Sequence, residues 1–173
     1  MAIDEEFEKS IVKNGGGVVI LAGSNSDKDH IEKVISALDE YKIPYITHIS
    51  SAHKQPEETY QIVKEYNQIK GMLAYIAIAG GTDALSGMVS FHSLAPVISC
   101  PPDAPNESCL GNPPGSSNAY IAKPKNAARF IAQMFAAGNP DDFLARKLSN
   151  EIEDKRQKLM GADNDFSRRY KSI

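Results

Sequence analysis

The chain lacks any apolar run approaching the ~20 residues that a membrane-spanning helix needs, so no segment of it reads as a bilayer span. It lacks a basic excess. The formal net charge of −3 argues against a nucleic-acid-binding surface as its main purpose, while leaving room for a local basic pocket for a phosphorylated small molecule. Cysteine is scarce. Cys100 and Cys109 lie nine positions apart in a proline-rich segment. A disulfide is not expected in a reducing compartment, and two thiols without a neighbouring histidine do not make a zinc site. Cys100 follows "PVIS" and is expected to pack near a strand end. The opening "MAIDEEFEKSIVKNG" lacks the basic start and apolar centre of a secretory signal, so the expected location is the cytoplasm.

What is present is an ordinary globular composition, 42% hydrophobic and 24% charged over 173 residues, enough for one hydrophobic core. Residues 1–15 read as a tail, either a mobile arm or a helix lying on a neighbour, and residues 16–173 as one domain. "GVVILAG" (17–23), "PYITHIS" (44–50), "GMLAYIAIAGG" (71–81), "PVISCPP" (96–102) and "NAYIAKP" (118–124) read as strands. Helices alternate with them. After Ser26 and Asp27 as caps, Ile31, Val34, Ile35 and Leu38 share a face. Pro56 opens the next helix, with Thr59, Ile62, Val63 and Tyr66 inward. Residues 82–95 are helix-like and rich in small side chains, and "DAPNESCLGNPPGSS" carries no periodicity. From Lys125, Ala127, Phe130, Ile131 and Met134 line one face. A last helix, 141–160, carries Leu144, Leu148, Ile152 and Leu159 on a narrow stripe. It either covers its own sheet or, the reading placed slightly ahead, reaches onto another subunit. The alternation predicts an α/β fold: a flavodoxin-like, doubly wound parallel sheet of five strands in three layers, with an extra C-terminal helix.

In such sheets ligands bind outside the carboxyl ends of the strands. Three of those ends are unusual: "GSNSD" (23–27), "SSAHK" (50–54) and "AGGTDALSG" (79–87). Glycine permits close backbone approach, serine hydroxyls and helix N-terminal amides suit phosphate oxygens, and a carboxylate suits ribose hydroxyls. Taken singly, a Ser–Asp pair before a helix is more often a cap than a ligand. His53 at the second corner would face the crevice, with Lys54 adding positive charge. Its imidazole is the side chain whose ordinary pKa lies nearest neutrality. His30, His48 and His92 read as surface or helix-packing residues, none at metal-ligand spacing with another.

"GSNSD", "SAHK", "IAGGTDALSGMVS" and "PVISCPP" together resemble the PurE-type aminoimidazole ribonucleotide (AIR) carboxylases of purine biosynthesis, over roughly residues 17–160. One branch of that family rearranges an N5-carboxylated ribonucleotide and typically reads SAHR and AGGAAHLPGM. The other adds CO2 directly to the unmodified ribonucleotide and typically reads SAHK, AGRSNALSG and a Cys-Pro-Pro run. "SAHK", "ALSG" (84–87), "SCPP" (99–102) and "KPKNAARFIAQMF" are similar to the direct branch. Two departures stand out. Gly81 and Asp83 occupy positions where that branch usually has arginine and asparagine, and "CLGNPPGSS" (109–117) replaces the usual SLRMPSG.

The resemblance implies a lyase adding CO2 reversibly to C4 of AIR without ATP. Ser24 and Ser51 would bind the phosphate with Lys54, and Asp27 would hold the ribose hydroxyls. His53 would transfer the proton, and Gly80, Gly81 and Thr82 would line the carboxyl site. It implies no metal or other cofactor, a ribonucleotide and CO2 as partners, an octamer whose sites draw on several subunits, and neither nucleic acid nor membrane. Two competing readings are a mutase of the rearranging branch and a nucleotide-binding relative that has lost activity.

Overall fold

The structure is a computed structural model and describes residues 4–138 and 143–170. Five strands form one parallel sheet: β1 (Gly17–Ala22), β2 (Tyr45–Ile49), β3 (Leu73–Ile78), β4 (Val97–Ser99) and β5 (Asn118–Tyr120), in the order β2-β1-β3-β4-β5. That is the flavodoxin-like order expected from the alternation. Every residue of β1 and β3 is buried, as strands covered on both faces must be. β2 lies at an edge, and its residues are only partly buried, with Ile49 exposed.

The helices are α1 (Glu5–Asn14), α2 (Lys28–Glu40), α3 (Pro56–Tyr66), α4 (Ala84–His92), α5 (Pro124–Ala137) and α6 (Phe143–Arg169). Strand side chains alternate between faces. Val19, Leu21, Tyr75 and Ala77 join Phe7, Ile11, Val63, Tyr66, Leu85 and Val89 in one core cluster, so α1, α3 and α4 share a face. Val18, Ile20, Ile76 and Ile98 are as deeply buried on the other face. The β1–α2–β2 crossover runs opposite to the β3–α4–β4 crossover, so a right-handed connection places α2 there.

Two expectations need correction. Residues 4–14 form a capped helix on the chain's own core rather than a loose arm, and positions 1–3 of the expected tail lie outside the described residues. Asp4 caps α1 by accepting from Glu6 N–H at 2.8 Å and Phe7 N–H at 3.2 Å, and Phe7 and Ile11 are buried in the chain's own core. On α5, Phe130 is exposed and the buried row is Ala127, Ala128, Ile131, Ala132 and Phe135. Small residues let a helix lie close, which a search for large apolar residues overlooks.

The chain divides into two compact units at Ile131/Ala132. In the second, α6 buries Leu144 and Leu148 but leaves Ile152, Leu159, Met160, Phe166 and Tyr170 exposed. Positions 141 and 142 of the helix expected over 141–160 lie outside the described residues. No described helix is long and apolar enough to cross a membrane.

Candidate active site

β1 and β3 are neighbours whose following helices leave to opposite faces, so their carboxyl ends flank the switch point where such sheets bind ligands. After β1, Ser24 is extended (φ −152°, ψ 146°) and its Oγ accepts from Ser26 N–H at 3.1 Å, capping a 3-10 turn over Asn25–Asp27. The Ser24 and Ser26 hydroxyls are 2.7 Å apart. Asp27 stands at the N-cap position of α2 yet makes no capping bond through its side chain. Asp27 thus holds the expected N-cap position of α2, while the side-chain capping bond is made by Ser24 at the 3-10 turn before it and none by Ser26 to α2. The Asp27 carboxylate accepts a long bond from the Ser26 hydroxyl, at 3.4 Å, and stands at a helix N-terminus.

The second corner is built from beneath. Thr59, fully buried on α3, donates to Gln55 O at 2.9 Å, and its Oγ1 lies 2.6 Å from the Oγ of buried Ser50. Gln55 N–H donates to Ser51 O at 2.7 Å, and Lys54 N–H reaches Ser51 O at 3.2 Å and Ser51 Oγ at 3.3 Å. Pro56 then starts α3 with a φ already helical. These bonds close a tight turn that leaves His53 and Lys54 exposed at its tip.

The third loop is the most constrained. Gly81 has φ +66°, a left-handed conformation that suits glycine. Its N–H donates to Asp103 Oδ2 at 2.8 Å, and its carbonyl accepts from Asn106 Nδ2 at 2.7 Å and Ser108 Oγ at 3.3 Å. The Gly81 N–H and the Asn106 amide hold the Asp103 carboxyl below the usual carboxylate range. Asp83 is 2% exposed. Its Oδ1 accepts from Ser86 N–H at 2.9 Å, capping α4, and its Oδ2 accepts from the Ser99 hydroxyl at 2.6 Å. A carboxylate here satisfies two donors at once, which accounts for Asp83 as a structural cap.

The three loops meet around a pocket of about 210 Å³ lined by Gly23, Ser24, Asp27, Ser51, Ala52, His53, Lys54, Ala79, Gly80, Thr82 and Leu85. Seven of the eight residues expected from the sequence are thus brought together. Gly81 is not among the lining residues, because both of its backbone polar groups turn to the loop after β4. Asp103, Asn106 and Ser108 are absent from the residues expected at the site. The available signal was the Asx/Ser content of "DAPNES", since such side chains bond nearby backbone.

Larger hollows lie elsewhere. One of about 590 Å³ beside β2 and α3 carries Glu57, Glu58 and Glu65, a poor setting for a phosphate. Another of about 740 Å³ is lined by Asp29, Glu32, Lys33, Lys123 and Lys125 among others, with charges of both signs. Size is outweighed here by chemistry and by position at the switch point.

The other three histidines are half-buried and make contacts within the chain. His30 Nε2 lies 3.1 Å from Cys100 O, and burial lowers its pKa. Burial pushes the adjoining Cys100 thiol up to about 12, so it is an inert core residue. His48, also lowered by burial, pairs with the Tyr66 hydroxyl at 2.8 Å. His92 packs edge-on to Tyr60 and Phe91. Among the described residues no cluster of His, Cys, Asp or Glu could hold a metal ion.

Known proteins resemble this chain in sequence and fold. The family model described as AIR carboxylase matches residues 17–158. A phosphoribosylaminoimidazole carboxylase of Treponema denticola is 36% identical over 87% of this chain and 98% of its own length. One from Archaeoglobus fulgidus is 34% identical over 88% of this chain and 86% of its own length. The crystal structure of Treponema denticola PurE superimposes with a TM-score of 0.79 at 35% identity, covering 87% of this chain and 98% of that one. A chain with these three strand-end loops, this sheet order and this match across most of its length belongs to the AIR carboxylase family.

Proposed function

We propose that this chain adds CO2 to C4 of 5-aminoimidazole ribonucleotide, reversibly and without ATP, giving the 4-carboxy ribonucleotide. The convergence of the GSNSD, SAHK and AGGT loops on one pocket carries the reading. Ser24, Ser51 and Lys54 offer hydroxyls and a cation to the phosphate, and the Asp27 carboxylate, which makes no capping bond to α2, suits the ribose hydroxyls. The ring carbon C4 is enamine-like and nucleophilic without help from a cofactor. Its attack on CO2 forms a C–C bond and leaves a tetrahedral carbon bearing hydrogen and carboxylate. His53 takes that proton, the C–H electrons restore the aromatic ring, and the reverse reaction returns the proton to C4. Gly80 and Thr82, with apolar Ala79 and Leu85 beside them, form a small-walled end suited to holding a small apolar molecule while excluding water.

At about 210 Å³ the pocket is smaller than the ~300–1,000 Å³ usual for small-molecule sites. A site completed by neighbouring subunits would account for this, and the exposed apolar residues of α6 together with Phe91 and Leu94 supply contact surface. An octamer is therefore part of the proposal, as are a cytoplasmic setting and residues 16–173 working as one functional domain. The departures at Gly81 and Asp83 keep the rearranging mutase as the second reading. Incubation with AIR and CO2, without ATP or a synthetase, separates the two: carboxylated product supports the direct reaction, and turnover of only the N5-carboxylated substrate supports the mutase.

A further inference from the structure

The loop after β4 does more than connect it to β5. Two adjacent glycines, Gly80 and Gly81, leave the third strand-end loop with the largest conformational freedom a dipeptide can have. Yet at Gly81 both backbone polar groups are engaged. Asp103 takes the Gly81 N–H at 2.8 Å, and Asn106 Nδ2 donates both to Gly81 O at 2.7 Å and to Asp103 Oδ1 at 2.9 Å. Asn106 is held in turn: its Oδ1 accepts from the Ser108 hydroxyl at 2.7 Å, and its N–H donates to Tyr120 Oη at 3.2 Å. Ser108 Oγ also accepts from Asp83 N–H at 2.9 Å, at the start of α4. Asn106 is 9% exposed while Asp103 is exposed, so the clamp is anchored inside and reaches outward to the glycine corner.

We propose that Asp103 and Asn106 are positioning residues that preset the Gly80–Gly81–Thr82 backbone for the CO2 and carboxylate end of the pocket. The clamp fixes Gly81 in its left-handed conformation and commits its N–H to Asp103, so the carboxyl group is met by the neighbouring residues Gly80 and Thr82. No side chain from position 81 is needed for the loop to hold its shape. This rests on the carboxylase reading for what the loop binds, but not for the clamp itself.

The test is Asp103→Ala and Asp103→Asn in the full chain. With AIR and varied dissolved CO2, Asp103→Ala lowers kcat/KM for CO2 roughly tenfold, the scale of one lost charge-assisted hydrogen bond. The KM for AIR and the melting temperature stay near those of the unmodified protein, because the phosphate and ribose groups lie on other loops. Asp103→Asn, which keeps an oxygen acceptor for Gly81, regains part of the loss. Without any substrate, the Gly81 amide exchanges with solvent faster in Asp103→Ala, read by NMR. An unchanged exchange rate, an equal loss for CO2 and AIR, or an asparagine variant no better than alanine would each overturn the clamp. A parent protein inactive on AIR would sink the carboxylase reading instead and leave the exchange result standing.

Discussion

His53 stands at the tip of a turn whose geometry is set by Ser50, Ser51, Gln55 and Thr59, four residues that leave the imidazole itself unconstrained by the core. If its work is to move the C4 proton, His53→Asn should keep nucleotide affinity within a few-fold and cut turnover by ~10²–10⁴, the usual range for a lost acid–base group. Calorimetric titration with AIR beside a carboxylation assay checks both halves, and unchanged turnover would remove His53 from the chemistry. At this scale the sequence was readable wherever a residue's chemistry is visible locally. A histidine between a small residue and a lysine, ahead of a proline-started helix, announces a corner. Asp103 and Asn106 were not readable, because their partner, Gly81, lies more than twenty positions away and offers only backbone groups. Nothing in a sequence marks a carbonyl as taken. The capping bond of Ser24 was not readable for a related reason: it belongs to a 3-10 turn inserted before α2, which periodicity does not mark.

Among the elements, periodicity located all five strands and the helices between them, because buried parallel strands and amphipathic helices must show it. It was less informative where burial is partial or side chains are small. β2 is an edge strand although "PYITHIS" reads like the others, and α5 turns alanines inward while Phe130, which its spacing places on the same face, is exposed. α1 illustrates a close approach that composition hides. A Cβ added at Gly17 would lie 2.5 Å from Ile11 Cγ1 and 3.2 Å from Phe7 Cζ. Gly17→Ala should therefore push α1 off β1 and cost roughly 1–3 kcal/mol, the range for overpacking a filled core. Denaturant titration measures it. Combining it with Ile11→Ala should cost less than the two single losses added, since truncating Ile11 vacates the space that the new Cβ needs. Strict additivity would mean α1 does not lie where Ile11 meets Gly17.

For the molecule as a whole, the proposed assembly rests on the small pocket and the exposed apolar residues of α6. Ile152, Leu159 and Phe166 are 56%, 74% and 66% exposed, unusual for apolar side chains at such a spacing along one helix. Light scattering at working concentration is expected to give an octamer, near eight times the 18.8 kDa chain. A monomer that still turns over AIR would show that the pocket needs no neighbour. The family resemblance was legible because its motifs sit in consecutive strand-end loops, whereas the clamp and the pocket's size appear only once the loops are placed together. The central claim remains a chemical one: the enamine-like carbon of AIR captures CO2 directly at this site. Incubating the purified protein with AIR and ¹³C-labelled CO2, with no ATP and no other enzyme, tests it most directly. Label appearing at the C4 carboxylate is the predicted result. Absence of label, with conversion of the N5-carboxylated ribonucleotide under the same conditions, would contradict it.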